Sequence, residues 1–170
     1  MNDSSDLQHF FAARLGDDDL APDEIERLAE ELAGRPELWR DSVRHSEDER
    51  IYTQLYRDSH LDVWLICWTG TQDTGLHDHD LSSGAVCVVD GALDEDRLRM
   101  AGGVATTRHA AGASFRFDAS RIHDVRNAEG HVTVSLHLYS PPIWRMGYYD
   151  VAEDGSLARR SLSYAEELRT

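Results

Sequence analysis

The segment HDHDLSSGAVCVVDG, residues 77–91, places two histidines one residue apart, ahead of a short apolar run that ends in glycine. Residues two apart in a strand point to the same face, so His77 and His79 would direct both imidazoles towards one point while Asp78 faces away. Two imidazoles on one face make half of a metal site. Gly84 follows at the position where a carboxylate ligand would be expected.

Short apolar runs dominate the chain after residue 50. LDVWLICW at 61–68 and GAVCVVDG at 84–91 are typical of buried strands, and VTVSLHLY at 132–139 alternates strictly between apolar and polar residues. Glycine-containing turns separate these runs, with no helical pattern between them. This organisation predicts an all-β core, either a jelly roll or a small barrel.

The N-terminal part of the chain has a helical pattern instead. Apolar residues recur at helical spacing over 7–15 and again between Pro22 and Gly34, and the acidic residues among them predict a solvated helix face. We expect a single structural domain, because the chain length suits one hydrophobic core. In it, a helical segment of residues 1–48 would pack on a β-barrel of residues 49–170.

The charge of the chain limits its partners. Of 170 residues, 32 are acidic and 17 are basic, all of them arginine, which gives a net charge of −15. Such a chain repels phosphate backbones and anionic lipid, so we expect no nucleic-acid or membrane partner. A small-molecule partner is favoured, and the chain is expected to be a monomer or a weak homo-oligomer.

The sequence also favours a cytoplasmic location. It contains no apolar run long enough to span a bilayer, and its N-terminus lacks the basic-then-apolar order of a secretion signal. Cys67 and Cys87 lie within apolar runs, which predicts two reduced thiols in the core.

A second spaced motif begins at Gly112, and His123 and Asn127 follow it in register with the second motif of the cupin superfamily. Asp118 and Ser120 replace the usual proline and inner glycine of that motif. The first segment resembles the first cupin motif, except that Gly84 replaces its glutamate. The resemblance implies a cupin jelly-roll β-barrel.

Three histidines are the candidate metal ligands: His77, His79 and His123. Neutral imidazoles suit iron, zinc, copper and nickel. Three of them leave a divalent iron with its full positive charge, which favours an anionic ligand from the substrate, such as a thiolate. The other histidines are more simply interpreted as core or surface residues: His9, His45, His60, His109 and His131.

The chain from about Arg50 to Met146 resembles the cysteine dioxygenase family of thiol dioxygenases, particularly its bacterial members. The segments that carry this resemblance are LICW at 65–68, HDHD at 77–80, SGAV at 83–86, IHDVRN at 122–127 and SLHLYSPP at 135–142. The resemblance implies an enzyme that binds Fe(II) through three histidines and adds both atoms of O2 to a small thiol, giving a sulfinic acid.

Strand alternation places Ser135, His137 and Tyr139 on one face of a predicted strand. Polar side chains inside a barrel must be hydrogen-bonded or functional. The resemblance implies that these three residues form the catalytic relay of the family. In such a relay a phenol held by an imidazole donates to a developing oxyanion and takes a proton from the thiol. The alternative is a buried polar network without a catalytic task.

The residues that would bind the substrate carboxylate depart from the family pattern. Cysteine-selective members carry Tyr-x-Arg, whereas this chain has Tyr52, Thr53 and Gln54 at the matching place. Glutamine-bearing members of the family tend to prefer 3-mercaptopropionate. Arg50 or Arg57 would be the alternative source of the missing positive charge.

Further candidates for the substrate pocket are Ile66, Trp68 and Met146. Met146 and Trp144, which follow the double proline, could favour a bulkier thiol such as ergothioneine. The simpler interpretation is that Trp64, Trp68 and Trp144 pack in the core.

Gly84 has a second consequence, because mammalian members carry near this position a cysteine that is cross-linked to the tyrosine. No cross-link is therefore expected here. Cys87 is not a substitute for that cysteine, since it lies in the wrong strand phase.

Two other classes of function stay open at this point. One is a cupin isomerase or hydrolase that uses zinc or manganese, although such enzymes usually need the carboxylate that Gly84 replaces. The other is a small-molecule sensor that uses the barrel as a binding pocket. Metal content and thiol-dependent oxygen uptake would separate these classes from a dioxygenase.

Overall fold

A computed structural model of the chain describes residues 4–99, 103–152 and 154–163. Two α-helices come first, α1 (Ser4–Ala12) and α2 (Pro22–Ala33), and two short 3-10 helices follow at Pro36–Leu38 and Arg40–Ser42. The strands are β1 (Ile51–Arg57), β2 (Asp62–Trp68), β3 (His77–Asp78), β4 (Ser83–Asp90), β5 (Ala92–Leu98), β6 (Val104–Ala110), β7 (Ser114–Phe117), β8 (His123–Asn127), β9 (Thr133–Ser140), β10 (Arg145–Val151) and β11 (Leu157–Ser163).

These strands form two antiparallel sheets. The five-stranded sheet has the order β1-β2-β9-β4-β7, and the six-stranded sheet has the order β11-β10-β3-β8-β5-β6. Strands β2, β4 and β9 coincide, to within one residue, with the three apolar runs of the sequence. The predicted all-β, jelly-roll core is confirmed.

The two faces of the five-stranded sheet carry different side chains. On the outer face, Val63, Leu65 and Leu136 are completely buried in a cluster with the N-terminal helices. On the inner face, Ile66 of β2 pairs with Ser135 of β9 in the strand register. The strict alternation of β9 therefore separates an apolar face under the helices from a polar stripe that faces the interior of the barrel.

The helices cover the outer face of this sheet. Phe11, Ile25 and Leu32 are fully buried there, and α2 lies against β4, β7 and β9. Burying each such side chain stabilises the fold by about 1.5–3 kcal/mol. Helix α2 begins at Pro22, and the Glu24 carboxylate accepts a hydrogen bond of 2.8 Å from the Ala21 N–H, which would otherwise lack a partner.

The acidic face of α2 is not wholly solvated, and the sequence prediction is corrected here. Glu26 forms an ion pair with Arg116 of β7, and the hydroxyl of Ser114 donates to the Glu30 carboxylate at 2.6 Å. These polar contacts tie the helix to the rim of the sheet.

Both cysteines are free thiols, and both lie in the cluster beneath the helices. Burial raises the pKa of the Cys87 thiol to about 11, and the nearby Glu30 and Glu26 add to the shift. A thiol held protonated is a poor nucleophile and a poor metal ligand. Among residues 4–99, 103–152 and 154–163, no helix is long and apolar enough to cross a membrane.

Candidate metal centre

The three histidines singled out in the sequence lie together inside the barrel. His77 of β3 pairs directly with His123 of β8, and His79 follows two residues after His77. One nitrogen from each ring lies within 4.8 Å of the others, and the Nε2 atoms of His77 and His79 are 3.2 Å apart. All three side chains are buried.

Hydrogen bonds to the outer nitrogens orient two of these rings. His77 Nδ1 lies 2.8 Å from the Gly75 carbonyl oxygen, and His123 Nδ1 lies 2.9 Å from a carboxylate oxygen of Glu95. Both acceptors require a protonated Nδ1, which leaves the Nε2 lone pairs directed at the common point. His123 Nε2 is buried and has no hydrogen-bond partner among the described residues.

The protonation states suit a metal. Burial lowers the pKa of His77 to about 3, with a further contribution from the neighbouring His123, and burial together with the other histidines lowers the pKa of His79 well below its usual value. These imidazoles are therefore neutral at pH 7 and can use a lone pair to bind a metal. The donor set fits Fe(II) as well as other divalent transition metals.

The space beside Gly84 is filled by an aromatic ring. A β-carbon at this position would lie 2.5 Å from the ring of Phe117 and 3.0 Å from the Leu138 carbonyl oxygen. The Phe117 ring in turn stacks on His79, with ring centroids 4.8 Å apart. A glutamate or cysteine could therefore occupy position 84 only if Phe117 moved.

Ser135, His137 and Tyr139 form a hydrogen-bonded chain along the inner face of β9. Ser135 Oγ lies 2.8 Å from His137 Nε2, and His137 Nδ1 lies 3.3 Å from the Tyr139 hydroxyl. Trp68 donates its indole N–H to Ser135 Oγ at 2.8 Å. Because Trp68 can only donate, the Ser135 hydroxyl can donate to His137 Nε2, and His137 Nδ1–H then donates to Tyr139.

His137 is a neutral member of this chain. Burial lowers its pKa to about 3, and the positive charge of Arg50 contributes to the shift. A neutral imidazole can both accept from Ser135 and donate to Tyr139. The ring of Tyr139 lies 5.0 Å from that of His79, so the phenol is next to the histidine cluster.

A cavity of about 900 Å³ opens over the histidines. Of the residues proposed from the sequence to contact substrate, Arg50, Tyr52, Ile66 and Met146 line it. Gln54 and Trp68 are not among the lining residues. Trp68 is completely buried and acts on the site through Ser135.

Gln54 and Arg57 are held by a buried carboxylate. Gln54 donates to Asp62 at 2.9 Å, and Arg57 forms an ion pair with the same residue and also donates to the Ile143 carbonyl oxygen at 2.9 Å. Trp144 is 71% exposed, with the Arg57 guanidinium 4.9 Å from its ring centroid, so the expectation that it packs in the core is wrong.

Glu95 and Phe117 are functional candidates that the sequence analysis missed. Burial alone would raise the pKa of Glu95, but contacts with His109 and His123 outweigh burial and lower it to about 2. The run LDED at 93–96 has the composition of a solvated segment. The clue in the sequence that could have identified Glu95 is the apolar residue Leu93, because residues two apart in a strand share a face. Both side chains are buried in the structure.

Solved structures with this fold come from several bacteria. The chain resembles TT1209 from Thermus thermophilus with a TM-score of 0.53 and 16% identity, covering 60% of this chain and 92% of that one. A conserved double-stranded beta-helix protein from Klebsiella pneumoniae has a TM-score of 0.53 and 15% identity, covering 71% and 91%. KdgF from a Halomonas species has a TM-score of 0.50 and 16% identity, covering 58% and 84%. At these identities the likeness concerns the fold.

The family follows from a sequence comparison that spans most of the chain. The family model described as cysteine dioxygenase type I matches residues 4–152, including the helices, the histidine cluster and the chain of polar residues on β9. The chain therefore belongs to the cysteine dioxygenase family, whose members are metal-dependent dioxygenases.

Proposed function

We propose that this protein is an Fe(II)-dependent thiol dioxygenase that converts a small thiol, such as cysteine or 3-mercaptopropionate, to the sulfinic acid. In this reaction R–SH and O2 give R–SO2H. Both oxygen atoms bond to sulfur, and the four-electron oxidation of sulfur balances the four-electron reduction of O2. No further reductant is required.

One observation supports this proposal above the others. The histidine cluster and the Ser135–His137–Tyr139 chain come from different sheets yet meet at the same cavity. A phenol hydrogen-bonded to a neutral imidazole beside three candidate metal ligands suits hydrogen-bond donation to oxygen during oxidation of a thiol.

The bound metal, held by His77, His79 and His123, would supply positive charge and bring thiolate and O2 together in one site. The protein contributes the proton chemistry. The thiol proton passes to solvent as the thiolate forms, and Tyr139, which accepts a hydrogen bond from His137, can donate one to oxygen as charge develops there. The apolar lining by Ile66, Val86 and Phe117 keeps water from the reacting atoms.

An oxygen-electrode assay of the iron-loaded protein tests the activity. The panel is cysteine, 3-mercaptopropionate, cysteamine and ergothioneine, with product identified by mass. We expect one sulfinic acid formed per O2 consumed for at least one of these thiols. Protein that retains zinc and shows no thiol-dependent O2 uptake would contradict the proposal.

We further propose that Arg50, and not Gln54 or Arg57, binds the substrate carboxylate. Its guanidinium carbon lies 4.8 Å from the ring centroids of both Tyr52 and Trp68, and it donates to the Asp73 carbonyl oxygen and to the Tyr52 hydroxyl. These contacts hold the charge at the cavity wall. A guanidinium has five N–H donors, and these two contacts use two of them, so donors stay available for a ligand in the cavity.

Arg50→Gln is expected to lower kcat/KM for a carboxylate-bearing thiol by about 10- to 100-fold, because one charged hydrogen-bond pair is worth about 1.5–3 kcal/mol. Most of this loss should be in KM. Cysteamine, which has no carboxylate, is the control substrate, and the kcat/KM of the variant for it should fall little. Gln54→Ala is the matched variant, and a larger effect from it than from Arg50→Gln would overturn this assignment.

The cellular setting is also a proposal. Two free, buried thiols support a reducing compartment such as the cytoplasm. The strong negative charge supports small-molecule partners, a thiol and O2, over nucleic acid or membrane. A monomer or weak homo-oligomer stays a prediction.

A further inference from the structure

Glu95 is a buried carboxylate directly behind one of the candidate metal ligands. Its side chain is 2% exposed, and one of its oxygens lies 2.9 Å from Nδ1 of His123, which is itself 1% exposed. Strand pairing fixes the contact, because Glu95 pairs with Val125 and Arg97 pairs with His123 between β5 and β8. The carboxylate is thus held on the side of His123 that faces away from the cavity.

The other two histidines have no such partner. His77 Nδ1 is bound to a neutral acceptor, the Gly75 carbonyl, and His79 Nδ1 is buried without a hydrogen-bond partner in the described part of the chain. A carboxylate beside the metal itself is prevented by Phe117, which fills the space next to Gly84. Among the described residues, Glu95 is the carboxylate that hydrogen-bonds to a histidine of this cluster.

Two arginines and a histidine also approach Glu95. Arg121 lies 3.2 Å away, and Arg97 and His109 each lie 3.6 Å away. The side chains of Arg121 and Arg97 are 27% and 40% exposed, so water screens their charge, whereas Glu95 and His123 face each other out of contact with water. Of these partners of Glu95, His123 belongs to the histidine cluster, so the charge of Glu95 reaches that cluster through His123.

We infer that Glu95 supplies, through His123, the negative charge that a three-imidazole centre lacks, an inference that rests on the proposed iron site. A carboxylate that accepts from the outer nitrogen of a ligating histidine increases the basicity of the inner nitrogen. Glu95 is thus a positioning residue that strengthens metal binding and favours the ferric over the ferrous state. Its charge does not occupy a coordination position that substrate and O2 need.

Glu95→Gln removes the negative charge of this side chain. It keeps the shape of the side chain and an oxygen that accepts the hydrogen bond from His123. Metal affinity is measured on the metal-free protein by titration with Co(II), whose visible absorption reports coordination, and with Fe(II) against a competing chelator. We expect about 10- to 100-fold weaker binding. The Fe(III)/Fe(II) potential of the iron-loaded variant should rise.

Asp94→Asn is the matched control. Asp94 is the neighbouring residue on β5, points to the opposite face and forms an ion pair with Arg108 at 2.8 Å. Its substitution also removes one ion-paired carboxylate, so it should lower the thermal stability of the metal-free protein to a similar degree. It should leave the metal affinity within about twofold of the unaltered protein.

Arg121→Gln gives a second test that does not depend on removing a buried group. Arg121 donates to the same Glu95 oxygen that His123 Nδ1 contacts, so its loss removes a competing donor, and metal affinity should rise and the potential should fall. Equal Co(II) affinity in folded Glu95→Gln and unaltered protein, or weaker binding in Arg121→Gln, would overturn the role of Glu95 and would leave the proposed function in place. Failure of the unaltered protein to bind either metal would overturn the proposed function as well.

Discussion

Replacing His123 by alanine is expected to abolish both iron binding and thiol-dependent O2 consumption. Two nitrogens from His77 and His79 cannot hold Fe(II) against water and buffer as three can. The third donor also comes from a different strand, so its loss opens one side of the cluster. The measurements are metal content by elemental analysis and O2 uptake with saturating thiol, both expected to fall to background.

Stability provides a separate readout of the same change. A metal that binds only the folded protein stabilises it by about 2.7 kcal/mol when the free metal is about 100 times Kd. Thermal unfolding of the unaltered protein should shift upward with added Fe(II) under anaerobic conditions, whereas His123→Ala should not shift. Glu95 keeps its contacts with Arg121 and His109 in this variant, so the fold is expected to persist.

The matched control is His131→Ala, which removes an exposed histidine that lies outside the cluster. It should retain iron, activity and the metal-dependent shift in unfolding temperature. If His123→Ala kept iron and O2 uptake, the assignment of the metal centre would be wrong.

Replacing Tyr139 by phenylalanine is expected to lower kcat by about 100-fold with metal content unchanged, because a positioned acid or base typically contributes about 10²–10⁴-fold. The substitution removes only the hydroxyl. The ring that packs beside His79 and Phe117 stays, so the cavity keeps its shape. KM for the thiol should change little, and the loss should appear in kcat.

Tyr148→Phe is the control for this prediction. Tyr148 lines the same cavity, and its ring centroid lies 6.2 Å from that of His77, but its hydroxyl donates to the Met146 sulfur at 3.9 Å. Its substitution should change kcat by less than about tenfold. Equal losses in the two variants would mean that the Ser135–His137–Tyr139 chain has no special part in the reaction.

The fold was largely predictable because its signals are local. Period-two alternation from Thr133 to Tyr139 requires that one face be apolar and the other polar, whatever the strand's neighbours are. The histidine spacing is local in the same sense, since His77 and His79 share a strand face. The partial solvation of the acidic face of α2 was not predictable, because Glu26 finds Arg116 only when the helix docks on the sheet.

The residue that binds the substrate carboxylate could not be predicted from strand alternation. Arg50 and Gln54 are four residues apart, so strand alternation assigns both to the same face and cannot distinguish them. The structure separates them through their partners: Arg50 reaches Asp73 and the cavity, whereas Gln54 binds Asp62.

The sequence by itself determined the fold class, the candidate ligands and the polar stripe on β9, because each depends on strand periodicity and on spacing between neighbours in the chain. Only the tertiary structure decided which groups support them. Trp68 reaches Ser135 across 67 residues, and Glu95 reaches His123 across 28. Such contacts depend on which strands pair, and the pairing of β2 with β9 and of β5 with β8 joins segments that are far apart in the chain.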